Sequence, residues 1–162
     1  MFIFFISLVI LSRIGELLLS GKNEKWLLQS GAIEYGKEHY PYIITLHILF
    51  FPAVILEYSL QKTHSYSLLL LILCFSLLAC KAWVIMSLGK FWNTKIYRIP
   101  GISLINNGPY RYIKHPNYLL VVGEIAAIPL AFHLYYTAVI FTLLNAAILL
   151  IRIKEENKVL QT

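Results

Sequence analysis

Long apolar runs constrain this chain more than any other feature. Met1–Leu19, Pro41–Leu60 and Ser65–Gly89 are each long enough, as helices, to cross the roughly 30 Å of hydrocarbon in a bilayer. A fourth run, Tyr118–Ile151, would extend about 50 Å as one helix at about 1.5 Å per residue, too long for a single crossing. It is therefore predicted to fold back on itself, with the turn near Pro129 and the polar-aromatic residues His133, Tyr135 and Tyr136. The expected fold class is an all-α integral membrane protein with five transmembrane helices, the last two forming a helical hairpin. Met1–Leu19 carries Arg13 and Glu16 and lacks a basic leader, so it is expected to be a retained span rather than a signal peptide. Without internal repeats or a low-complexity linker, residues 1–162 read as a single domain.

Charge orients the spans, because Lys and Arg accumulate in cytoplasmic loops. Of the fourteen Lys and Arg residues, eleven (Lys22, Lys25, Lys37, Lys90, Lys95, Arg98, Arg111, Lys114, Arg152, Lys154 and Lys158) fall after spans 1, 3 and 5, and only Lys62 falls between spans 2 and 3. The reading that follows is a multi-pass cell-membrane protein with its N-terminus outside and its C-terminus in the cytoplasm. Topology and contact with anionic membrane lipid account for the net charge of +6, so no nucleic-acid partner is expected.

Polar residues inside the spans gather at one depth. Counted at about 1.5 Å per residue from the cytoplasmic end, Arg13 and His47 lie near 10 Å, Lys81 and Glu124 near 12 Å, and Asn145 near 10 Å, with Glu16 shallower. An ionisable group in a span costs at least ~2.5 kcal/mol unless it faces a bundle interior or water. The five residues Arg13, His47, Lys81, Glu124 and Asn145 are therefore expected to line a shared polar substrate pocket opening to the cytoplasm. Helix-to-helix pairing and snorkelling are the plainer alternatives.

The segment GPYRYIKHPNYL, Gly108–Leu119, stands at the predicted mouth of that pocket. Pro116 suits the first position of a helix, whose free backbone N–H groups would face the mouth and attract a carboxylate or phosphate. Arg111, Lys114 and His115 add positive charge, and Tyr110, Tyr112 and Tyr118 offer faces to an aromatic ring or a cation. Trp26, Tyr35, His39 and Tyr40 in the first loop read as interfacial anchors. The five histidines and two cysteines show no ligand spacing, so no metal is expected.

GPYRYIKHPNYL, followed by Glu124 and then by RIKEENKVL at Arg152–Leu160, resembles the core of the isoprenylcysteine carboxyl methyltransferase family. His115, Pro116 and Tyr118 match its His-Pro-x-Tyr element, with Lys114 where Arg is usual, and Arg152, Glu155 and Glu156 match its Arg-x-x-Glu-Glu element. The N-terminal stretch Arg13–Pro41 is similar to a bacterial subgroup of alkylpyrone O-methyltransferases associated with type III polyketide synthases. The resemblance implies an S-adenosylmethionine-dependent O-methyltransferase whose cofactor-site core spans about residues 90–162. Its acceptor would be lipophilic and bear an acidic oxygen: a long-chain alkylpyrone first, a prenylcysteine carboxylate second. The resemblance also implies roles. Tyr110, Arg111, His115, Pro116, Tyr118 and Glu155 would hold the cofactor, Arg152 and Glu156 would be catalytic, and Glu124 would floor the pocket. Lys114 cannot make the bidentate contact of an Arg. The chain stops at Thr162, so contacts made elsewhere in the family by an aromatic tail are expected from other segments. An NADPH-dependent membrane reductase and a non-enzymatic lipid carrier are the competing classes.

Overall fold

A computed structural model describes backbone residues 1–103 and 105–160, and side chains through Lys158; Thr162, on which the expectation of a short tail rests, lies outside them. Five helices dominate: α1 (Phe2–Gln29), α2 (Tyr40–Leu60), α3 (Leu68–Leu88), α4 (Pro116–Leu130) and α5 (Tyr135–Leu160). Two three-residue strands, β1 (Ile33–Tyr35) and β2 (Ile96–Arg98), pair antiparallel with Glu34 opposite Tyr97. The all-α membrane class expected from the sequence is borne out, with this short ribbon as an addition between helices.

Four of the helices, α1, α2, α3 and α5, are long and apolar enough to cross a membrane. Helix α4 is apolar but has 15 residues, about 22 Å at about 1.5 Å per residue, against roughly 30 Å of hydrocarbon. The count of five full spans is therefore not reached. Pro116 sets the start of α4, and the turn 131–134, with His133 at φ 58°, sets its end. The hairpin itself forms as the sequence predicts, α4 and α5 packing together across that turn.

Depth along α1 orders the molecule. Phe2, Phe5, Ile6 and Val9 join Phe50, Val54, Leu71, Ile125, Ile128 and Phe132 in one apolar core at the N-terminal end of α1. Arg13 and Glu16 follow one to two turns later, and Ser20, Asn23 and Glu24 reach the loops at the far end. Outward-facing Ile3, Phe4, Leu11, Leu18, Ile48, Leu69, Ile72, Leu143 and Leu150 remain exposed. So much contiguous apolar surface suits lipid and not water.

Both ends of the bundle are closed by connections. At the core end, Glu57 accepts the backbone N–H groups of Tyr136 and Thr137 at 3.1 and 2.7 Å, capping α5 from another helix. The Ser67 N–H also donates to the Ala131 carbonyl there. At the opposite end, the β1–β2 ribbon joins the first loop to the segment after α3. Gly89, at φ 54°, ends α3 and releases that segment.

A candidate cofactor and acceptor site at the basic end of the bundle

Residues spaced three and four apart on two helices build the site. His115, the residue that precedes α4, lies beside Tyr118 of its first turn, and Arg152 and Glu156 share a face of α5. The hairpin brings the two pairs together. The His115 and Tyr118 rings stack with centroids 5.3 Å apart, and the Arg152 guanidinium lies 5.4 Å from the Tyr118 ring centre. Arg152 Nε donates to the Tyr118 hydroxyl at 2.7 Å, and that hydroxyl donates to Glu156 Oε2. Glu156 in turn sits 3.5 Å from His115 Nδ1, while His115 Nε2 lies 3.2 Å from Asn157 Oδ1.

The turn before α4 is fixed against α3. Gly108 adopts φ 55°, and a side chain there would collide with Ser87 and crowd Trp83 Nε1. That close approach buries Pro109 and delivers Tyr110 to the site. Opposite lies the strap Trp92–Tyr97, which α1 holds through buried Asn23, donating to the Gly89 and Trp92 carbonyls at 3.1 and 2.7 Å. Lys95 and Tyr97 both reach Glu24, at 2.6 and 2.7 Å.

Between strap, turn and hairpin is a cavity of about 500 Å³, within the usual range for small-molecule sites. Tyr110, Lys114, His115, Asn117, Tyr118, Arg152 and Glu156 line it together with Trp92, Asn93, Lys95 and Asn106. Trp92 Nε1 and Asn117 Oδ1 are buried in its wall without a hydrogen-bond partner. Such groups are normally satisfied, so this donor and this acceptor suit a polar ligand. A much smaller cavity shares Lys95, Ile96 and Arg152 with the first, and its polar lining also includes Glu34, Tyr35, His39, Tyr40 and Glu155.

Local electrostatics follow from these contacts. The hydrogen bond to Glu156 raises the His115 pKa above its ordinary 6.5, against burial, which opposes it. Burial pushes the Tyr110 hydroxyl up, with Glu156 adding to the effect, so it stays protonated at neutral pH. The hydrogen bond to Glu24 raises the Lys95 pKa and keeps that amine charged.

The predicted residues divide into groups. His115, Tyr118, Tyr110, Arg152 and Glu156 meet at the large cavity. Pro116 supports them as the buried first residue of α4. Arg111 points outward over the Tyr112 ring, 6.0 Å from its centre. Glu155 pairs with Lys158 at 2.7 Å and faces the small cavity instead. Arg13, Lys81 and Glu124 come together with Glu16: Arg13 contacts Glu16 at 3.0 Å and Glu124 at 2.5 Å, and Lys81 contacts Glu16 at 3.2 Å and Glu124 at 3.0 Å. His47 donates Nδ1–H to the Ile43 carbonyl at 2.8 Å, and Asn145 is buried with Nδ2 unpartnered. None of these residues lines either cavity.

The residue types of the strap do not mark it as part of a site. Its signal was a connection of nearly twenty residues between α3 and Gly108, longer than compact folds normally leave without a job. Two residues read as interfacial anchors also serve it. Tyr40 bonds Thr94 at 2.9 Å, and Trp26 packs edge-on against Phe91.

Residues 69–162 match the isoprenylcysteine carboxyl methyltransferase family, and this stretch contains α4, α5, the strap and every residue that lines the large cavity except Leu27. The chain belongs to that family. Its members are S-adenosylmethionine-dependent membrane methyltransferases. The uncharacterized protein YpbQ of Bacillus subtilis (strain 168) is 42% identical over 163 residues, covering 99% of this chain and 97% of the relative. An uncharacterized protein of Haemophilus influenzae is 32% identical over 151 residues, covering 90% and 86%. No solved structure matches the chain. Matches covering 99% and 90% of the chain reach well beyond residues 69–162, so the likeness to both relatives includes N-terminal residues that the family match omits.

Proposed function

We propose that this methyltransferase-family protein transfers a methyl group from S-adenosylmethionine to an acidic oxygen of a lipophilic acceptor, at the cytoplasmic face of the membrane. The observation that carries the reading is the cavity at the basic end of the lipid-facing bundle, where Arg152, Tyr118, Glu156 and His115 are mutually bonded. Its residues fit the cofactor: an unpartnered indole N–H and amide oxygen, at Trp92 and Asn117, suit a ligand bearing both acceptors and donors. Glu156 would take a ribose hydroxyl or the ammonium, and His115 with the α4 N-terminus would take the carboxylate. When bound, S-adenosylmethionine supplies an electrophilic methyl on a sulfonium.

The remaining work is positioning, which can contribute several kcal/mol to such a displacement. Arg152 is tied to Tyr118 and to the Thr94 carbonyl by Nε and Nη2. Among the described residues its third nitrogen, Nη1, has no bonded partner, and it would orient the acceptor oxyanion. The acidic oxygen of a hydroxypyrone, a vinylogous acid, or of a carboxylic acid is already ionised near neutral pH, so on this reading a general base is unnecessary. The apolar bundle would hold the acceptor's tail, and the ribbon would exclude water.

The first acceptor to test is a long-chain alkylpyrone, the kind of product a type III polyketide synthase would supply. Purified protein should be incubated with methyl-labelled cofactor and a panel of long-chain pyrones and prenylcysteines. Label should appear in the pyrone ethers. Label only in prenylcysteine esters would move the acceptor to the second class. Folded protein that leaves every lipid extract unlabelled would refute the reading, and tight NADPH binding in its place would favour a reductase.

A further inference from the structure

Ser20 is a buried hydroxyl on α1, and its side chain bonds the strap and not its own helix. It donates to Asn93 Oδ1 at 3.0 Å, meets Thr94 Oγ1 at 2.8 Å and accepts the Thr94 N–H at 3.1 Å. Asn93 Nδ2 also donates to the Ser20 carbonyl at 3.0 Å. Each hydroxyl has one proton, which orders the chain of bonds: Tyr40 donates to Thr94 Oγ1, Thr94 to Ser20 and Ser20 to Asn93. Asn93 Oδ1 accepts the Lys95 N–H as well, at 2.9 Å, so the Thr94 peptide is held on both sides.

The Thr94 carbonyl is where Arg152 Nη2 is anchored. The geometry points to Ser20 as a positioning residue for methyl transfer: through the Thr94 peptide it fixes the Arg152 guanidinium in the wall shared by the two cavities. Ser20 lies outside residues 69–162, so the family-matching segment would take part of its active geometry from α1. The alternative is a tie between helix and loop with no influence on Arg152. It predicts lower thermal stability and nothing specific at the guanidinium.

The inference rests on the role proposed above for Arg152, and two readouts on the full-length protein separate their failures. The first is the rate at which phenylglyoxal modifies Arg152 in cofactor-free protein, followed by mass spectrometry with exposed Arg111 as the internal control. Ser20→Ala should speed modification of Arg152 several-fold and leave Arg111 unchanged; Ser20→Thr, which keeps the hydroxyl, should behave as wild type. Ser20→Cys preserves the shape and loses the strong hydrogen bond, so it reads the same way should the alanine variant fail to fold. The second readout is turnover. Ser20→Ala should lower kcat roughly 10-fold while KM for the methyl donor stays within about 2-fold, the pattern of a group that acts on the transition state. Unchanged Arg152 reactivity in the alanine and cysteine variants overturns the inference, whatever happens to turnover. A wild type that methylates no acceptor would refute the functional reading instead, while the modification rates would still decide the link from Ser20 to Arg152.

Discussion

Tyr118 shows how one atom can join a site. Its hydroxyl accepts from Arg152 and donates to Glu156, so Tyr118→Phe removes two charge-assisted bonds while keeping the ring that stacks on His115. Bonds to charged groups contribute about 1.5–3 kcal/mol, so kcat for methyl transfer should fall roughly 10- to 100-fold. Steady-state kinetics on labelled lipid would check it, and an unchanged kcat would count against the linked constellation. His115 adds a pH dependence with a definite sign. Its folded pKa is raised above 6.5, so the contact with Glu156 stabilises fully below that ordinary value and is lost as pH rises through the raised one. The difference in Tm between wild type and His115→Gln should therefore shrink as pH is raised from about 6. A difference that widened would mean that Glu156 favours the neutral ring. None of this pairing was legible in the residue order, because Tyr118 and Glu156 are brought together only by the hairpin. What could be read was the i,i+3 and i,i+4 spacing within each helix.

Helices α1, α3 and α4 meet at the Arg13–Glu16–Lys81–Glu124 cluster. Its two cations and two carboxylates balance, and Lys81 and Glu124 are almost fully enclosed, their side chains 3% and 2% exposed. Breaking such a pair leaves an uncompensated buried charge, which costs about 3–5 kcal/mol. Lys81→Met should therefore unfold well below the wild type in a thermal scan in detergent. The double change Lys81→Met with Glu124→Gln should recover much of the loss; no recovery would show that the two residues are not coupled. The sequence placed these residues at a common depth, because depth follows from counting along each span. It could not distinguish a ligand-lined pocket from mutual neutralisation, which depends on how the helices are rotated. At the core end, Glu57→Gln should cost about 1 kcal/mol by weakening the cap on α5, visible as a modest fall in Tm.

For the whole molecule, the architecture makes the two ends unequal. One is closed by aromatic packing of Phe2, Tyr58 and Phe132, and the other holds the ribbon, the cavity and most of the basic residues. In the proposed orientation, which the positive-inside rule favours, the basic end faces the cytoplasm. In a cysteine-free background, a cysteine at position 62 should react with an impermeant thiol reagent in intact cells, whereas one at position 37 should react only after lysis. The reverse pattern would invert the proposed orientation. Taken alone, the sequence determined a helical membrane protein, the hairpin and the basic end, because hydropathy and charge are local properties that survive without a partner; the candidate roles of Arg152 and Glu156 came from the family resemblance. Tertiary structure decided that α4 falls short of a full span, that Glu155 and Arg111 turn away from the large cavity while Glu156 faces it, and that α1 braces the strap behind Arg152. Those outcomes depend on helix rotation and on bonds between residues more than seventy positions apart, such as Ser20 and Thr94, which no pattern along the chain encodes.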